Sequence, residues 1–123
     1  MIHISPKDFE KIVWEAVDAL PEAIRSRINN LEMQVEVAPT PEDIEDMDDD
    51  EALFGLYEGT PLTERDGSYD MALPDLITIF QTAHEEECDT LDELKAEVAR
   101  TVKHELAHHF GISDERLDEL GAY

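Results

Sequence analysis

TLDELKAEVARTVKHELAHHFGISD, residues 90–114, carries an amphipathic helix between its own start and stop signals. Thr90 and Glu93 have the Thr-x-x-Glu spacing of a capping box, in which hydroxyl and carboxylate each satisfy an otherwise orphaned helix N–H. Leu91, Leu94, Val98, Val102, Leu106 and Phe110 follow at intervals of three and four, which at about 100° per residue form one apolar stripe. Gly111 closes the helix, since glycine takes the left-handed conformation of a C-terminal cap without a side-chain clash. Ser113 then caps a last short helix, with Asp114 and Glu115 in its first turn, Leu117 and Leu120 on one side and Gly121 after it.

Upstream, Ser5-Pro6 pairs a capping serine with a proline at the first helical position. Phe9, Ile12, Val13, Ala16, Val17 and Leu20 recur there at helical spacing, and Trp14 is expected to pack with them. Pro21 interrupts and opens a second short helix through Ile24 and Ile28. Met33 to Val37 (MQVEV) alternates as a strand does, up to Pro39 and Pro41. GLYEGTPL, residues 55–62, has room for another short strand. Leu76 to Gln81 (LITIFQ) is β-branched and aromatic and reads most clearly as a strand, expected at a sheet edge beside the long helix. The pattern predicts an α+β fold. A small mixed sheet is packed by an N-terminal helix and the long helix 91–110, all in one domain over residues 1–123.

Composition narrows the function. Nine Lys and Arg stand against 32 Asp and Glu, a formal net charge of −23 over 123 residues. Nothing here neutralises phosphates at scale, so nucleic acid and anionic membranes are not expected partners. Hydrophobic residues at 41% are too many for a disordered acidic tail. The single cysteine, Cys88, excludes an intrachain disulfide framework, and the carboxylates of EEECDT around it oppose a reactive thiolate. No charged start and apolar run marks a signal peptide, and no apolar run is long enough to span a bilayer, so a cytoplasmic location is expected. Residues 42–51, EDIEDMDDDE, hold eight carboxylates and no cation. They lack the glycine and glutamate of a calcium-binding EF-hand loop and read as a solvated acidic stretch.

The last third of the long helix carries the chemistry. His104 and His108 lie one turn apart, about 40° from each other around the axis, so both imidazoles can reach one metal ion. They sit to the side of the apolar stripe, and Glu105 projects between the two. That sets a carboxylate beside the ion without making it a ligand. Zinc suits imidazole nitrogens in a tetrahedral site with one position left for water. A third ligand is needed. Gly111 lets the chain turn back, and Asp114 arrives three residues later, with Glu115 and Asp118 as alternatives. His109 points nearer the stripe and reads as a packed or supporting histidine, whereas His84 and His3 are isolated and expected to be exposed.

HELAHHFGISD, residues 104–114, resembles the extended HExxHxxGxxD zinc signature of metzincin-type peptidases. More closely, the chain resembles the small bacterial minimal zincin family of zinc metallopeptidases. The likeness extends to its length, to GLYEGTPL and LPDLITIF, and to the HHFGISDERLDELG ending. The resemblance implies a zincin-like fold, Zn2+ held by His104, His108 and Asp114, and Glu105 as general base for attack of zinc-bound water on a peptide bond. It implies peptide or unfolded protein as substrate, basic ones being favoured by the acidic charge. Tyr57 and Tyr69 are candidate donors to the oxyanion, and an extended peptide is expected to pair along LITIFQ. In one departure, no methionine follows Asp114, where metzincins place one below the metal.

Two other readings use the same residues. The spacing His-x3-His-x5 also occurs, with a third His, in small metal-dependent bacterial endoribonucleases, but that pattern does not require Glu105, and RNA is a poor partner for this charge. A non-catalytic acidic binding module is the other; it would need four protein ligands for a structural zinc, and only three are evident.

Overall fold

A computed structural model of the chain describes residues 1–28, 30–42, 54–59 and 74–119, apart from the side chains of Asp114 and Asp118. Among these, the elements run α1 (Pro6–Asp18), α2 (Glu22–Arg25), β1 (Leu31–Glu36), β2 (Gly55–Glu58), β3 (Asp75–Phe80), α3 (Gln81–Glu87), α4 (Leu91–Phe110) and α5 (Asp114–Glu119). The strands form a mixed sheet in the order β1-β3-β2, with β1 parallel and β2 antiparallel to β3. The expected α+β architecture is what the chain adopts.

The helix signals work as chemistry requires. Ser5 Oγ accepts the Asp8 N–H at 3.1 Å, with Pro6 in the first turn of α1. At α4, Thr90 Oγ1 accepts from the Glu93 N–H at 3.1 Å, while the Glu93 carboxylate reaches back one residue beyond the cap, to the Asp89 N–H at 3.0 Å. Gly111 is left-handed (φ 74°, ψ 32°), and the Ile112 N–H bonds the Ala107 carbonyl at 3.0 Å, which stops α4 and reverses the chain.

Burial follows periodicity, with exceptions. Phe9, Ile12, Val13 and Leu20 are buried, as are Leu94, Val98, Val102, Leu106 and Phe110. Together with Ile24, Ile77, Ile79 and Leu117 they make one core in which α1 lies against α4, and α4 against β2 and β3. Trp14 does not pack as expected and is 45% exposed, because one residue beyond Val13 it lies about 100° further round the axis. Leu91, in the stripe by spacing, is 44% exposed at the first helical position.

Strand placement needs one larger correction. β3 is not an edge strand; it is the centre of the described sheet, paired along both sides. Residues 77–80 are all buried, so both faces of the strand are covered. A run that is apolar on both faces is what a central strand looks like in sequence, whereas half-exposed β1 alternates. α3 follows β3 without an intervening residue, and no side chain caps its start. The N-terminal segment is tied to α3: the Ile2 N–H bonds the Glu85 carbonyl at 3.1 Å and the Ile4 N–H the Glu85 carboxylate at 2.9 Å.

β2 crosses α4 at Gly55. A Cβ there would lie 3.0 Å from Thr101 Cγ2, 3.1 Å from Glu105 Cγ and 3.2 Å from the Thr78 carbonyl oxygen. The missing side chain is what lets the sheet approach α4 beside Glu105. Gly55→Ala is therefore expected to lower stability by about 1–3 kcal/mol through overpacking. A reduced urea midpoint with an unchanged m-value would register it.

Candidate metal centre

The last turns of α4 bring His104, Glu105 and His108 together, with one donor atom from each lying within 4.8 Å of the other two. The imidazoles are half-buried, whereas Glu105 is 1% exposed under the β2 crossing. Their rings meet edge to face, centroids 5.0 Å apart at 88°. That burial pattern follows from the helix: Glu105 lies three and four residues from buried Val102, Thr101 and His109, on their face, and His104 and His108 fall on the flank that the sheet leaves partly open. The two imidazoles suit zinc, whose bonds to histidine nitrogen are about 2.0–2.1 Å, with the Glu105 carboxylate beside them.

Of the third-ligand candidates, Asp114 opens α5 directly after the Gly111 turn, and its carboxylate lies outside the described side chains, as does that of Asp118. Glu115 is exposed. Ser113 caps α5 by accepting the Arg116 N–H at 3.1 Å, and buried Leu117 anchors the helix in the core. The acidic run from residue 43 to 51 and Tyr69 lie outside the described residues.

Behind the cluster lies a polar network that spacing alone did not reveal. His109 is fully buried, in keeping with a packed histidine, and its Nδ1 lies 2.9 Å from Oδ2 of buried Asp75. The Tyr57 hydroxyl, one of the two candidate oxyanion donors, donates to the same oxygen at 2.5 Å. Asp75 begins β3 and Tyr57 faces Ile77 across the β2–β3 ladder, which makes Tyr57 and Asp75 diagonal neighbours on one face. The Pro-Asp start of LITIF read as punctuation; the topology turns that aspartate inward.

His84 corrects a further expectation, since it is fully buried. Its Nδ1 lies 2.7 Å from the Phe80 carbonyl oxygen and its Nε2 2.8 Å from Thr101 Oγ1, with Phe54 edge-on at 5.0 Å. Burial holds its pKa below the ordinary imidazole range, outweighing the Phe80 carbonyl and the Glu97 charge that favour protonation. In the neutral ring Nδ1–H donates to the carbonyl, which can only accept, and the single proton of the Thr101 hydroxyl is shared between Nε2 and the Glu97 carbonyl 3.1 Å away. Cys88 is also buried. Its thiol is pushed up by burial first and then by the carboxylates of Glu97, Glu93, Glu87 and Asp89, so it stays protonated. Among the described residues no helix is long and apolar enough to cross a membrane.

The profile of one family, described as zincin-like metallopeptidase, matches residues 28–122. Among solved structures, a conserved hypothetical protein from Thermo thermophilus is similar, with a TM-score of 0.54 and 22% identity over 94% of this chain and 99% of that one. That likeness concerns the fold alone. A search of the curated proteins finds no significant match.

The buried neutral His84 has a consequence for stability. Its folded pKa lies below its unfolded value, so the unfolded chain binds more protons as pH falls past about 6.5, and the native state loses stability there. In metal-free protein, the stability advantage of wild type over His84→Gln is expected to shrink between pH 7.5 and 5.5. Urea titrations of both proteins across that range measure it.

Proposed function

We propose that this chain, which belongs to the zincin-like metallopeptidase family, is a zinc-dependent peptidase in which His104 and His108 hold the metal and Glu105 is the general base. The observation that carries the reading is the cluster itself: two half-buried imidazoles and a buried carboxylate, from consecutive turns of one rigid helix, with donor atoms inside 4.8 Å. Asp114 is the proposed third ligand. The left-handed Gly111 and the start of α5 at Asp114, with Leu117 fixed in the core, support a return of the chain toward the helix end.

Zinc, when bound, supplies a Lewis acid that lowers the pKa of a coordinated water to about 7. Glu105 takes a proton from the attacking water and hands it to the leaving amine. Its burial beneath β2 keeps the carboxylate in one place between those two transfers. β2, not β3, is an outer strand of the described sheet, and it packs on α4. An extended substrate is therefore proposed to add at β2, through backbone hydrogen bonds. The acidic charge favours basic or unfolded cationic peptides.

Glu105→Gln is expected to lower kcat/KM on a cationic fluorogenic peptide by about 10²–10⁴-fold while zinc content stays near one per chain. His104→Ala and His108→Ala are expected to lose the metal as well as the activity. Metal analysis beside peptide and RNA hydrolysis assays, with and without chelator, checks this; chelator-sensitive RNA cleavage without peptide cleavage would overturn the peptidase reading. For the wild type, hydrolysis of the cationic peptide is expected to weaken as ionic strength rises, because screening removes the long-range attraction.

A further inference from the structure

We propose that Tyr57 is a positioning residue for the metal centre, fixing the ring of His108 from a hydroxyl anchored on the buried Asp75–His109 pair; this rests on the zinc site proposed above. The Tyr57 ring lies parallel to that of His108, 10° from coplanar with centroids 6.1 Å apart. It also meets the ring of His109 at 66° and 6.3 Å. Both separations are within the range over which aromatic rings interact. The far end of the tyrosine is held by its hydrogen bond to Asp75 Oδ2, and the same oxygen is held by His109 Nδ1.

The arrangement links three elements. Asp75 sits at the start of the central strand, Tyr57 on β2, and His108 and His109 are successive residues of α4. His109 brings the helix backbone to the aspartate, and the aspartate sets the tyrosine against the neighbouring histidine. His108 is half-buried, and the Tyr57 ring lies parallel to it as a wall on one side. The tyrosine is in turn tied by its hydroxyl to a carboxylate that is 1% exposed. A histidine held in one orientation binds an ion without first losing rotational freedom, which is how supporting groups around a ligand commonly raise metal affinity by about ten- to a hundredfold.

Two variants separate the anchor from the wall. Tyr57→Phe keeps the ring and removes the hydroxyl; Tyr57→Leu removes the stacked plane as well. Zinc affinity is measured by competition with a chromophoric chelator. The visible spectrum of the cobalt-substituted protein reports ligand geometry, which a general loss of stability does not alter. Folding of the metal-free variants is checked by circular dichroism. The expected result is about tenfold or more weaker zinc binding for Tyr57→Leu with shifted cobalt bands, and a smaller loss for Tyr57→Phe. Unchanged affinity and unchanged cobalt bands in both folded variants overturn the positioning role and leave the zinc site standing. Failure of the unaltered protein to bind either metal overturns both.

Discussion

Helical periodicity puts opposite environments on consecutive residues of α4, and the rest of the molecule is arranged around that constraint. Leu94, Val98, Val102 and Leu106 must leave water, while His104 and His108, a fraction of a turn away, must keep contact with it. A sheet can cover only one side of a helix. Here α1, β2 and β3 cover the apolar stripe, the strands leave the two metal-facing histidines half-buried with Tyr57 of β2 beside His108, and Glu105 is caught at the boundary. The missing side chain at Gly55 lets the strand close that boundary without pushing on the carboxylate.

Burying polar groups beside such a site is costly unless they are satisfied. The protein meets that cost with pairs. Asp75 receives the Tyr57 hydroxyl and faces His109, and His84 is held between the Phe80 carbonyl and Thr101. Both pairs tie the sheet or α3 to α4, one on each side of Glu105 along the chain. A core of aliphatic side chains gives stability but no fixed rotation of its helix; directional bonds of this kind fix where α4's open flank points.

Much of this was legible in the residues. The caps of α1 and α4, the left-handed glycine, the apolar stripe and the His-Glu-His cluster all depend on neighbours within a turn or two, so local spacing encodes them. What could not be read depends on partners far along the chain. Whether β3 is central or at an edge is decided by pairing with β1 and β2, and Asp75 gains its role only when β3 carries it beneath His109. His84 looked isolated because Thr101 is its neighbour in space and not in sequence. α3 was hidden because it continues from β3 with neither a breaker nor a capping side chain.

The central claim is that the flank of α4 carrying His104 and His108 holds a single zinc ion. A crystal of the zinc-loaded protein, measured on both sides of the zinc absorption edge, tests it most directly. The account predicts one anomalous peak about 2.0–2.1 Å from a ring nitrogen of each of these two histidines. A peak elsewhere, or none at that helix in zinc-saturated crystals, would contradict it.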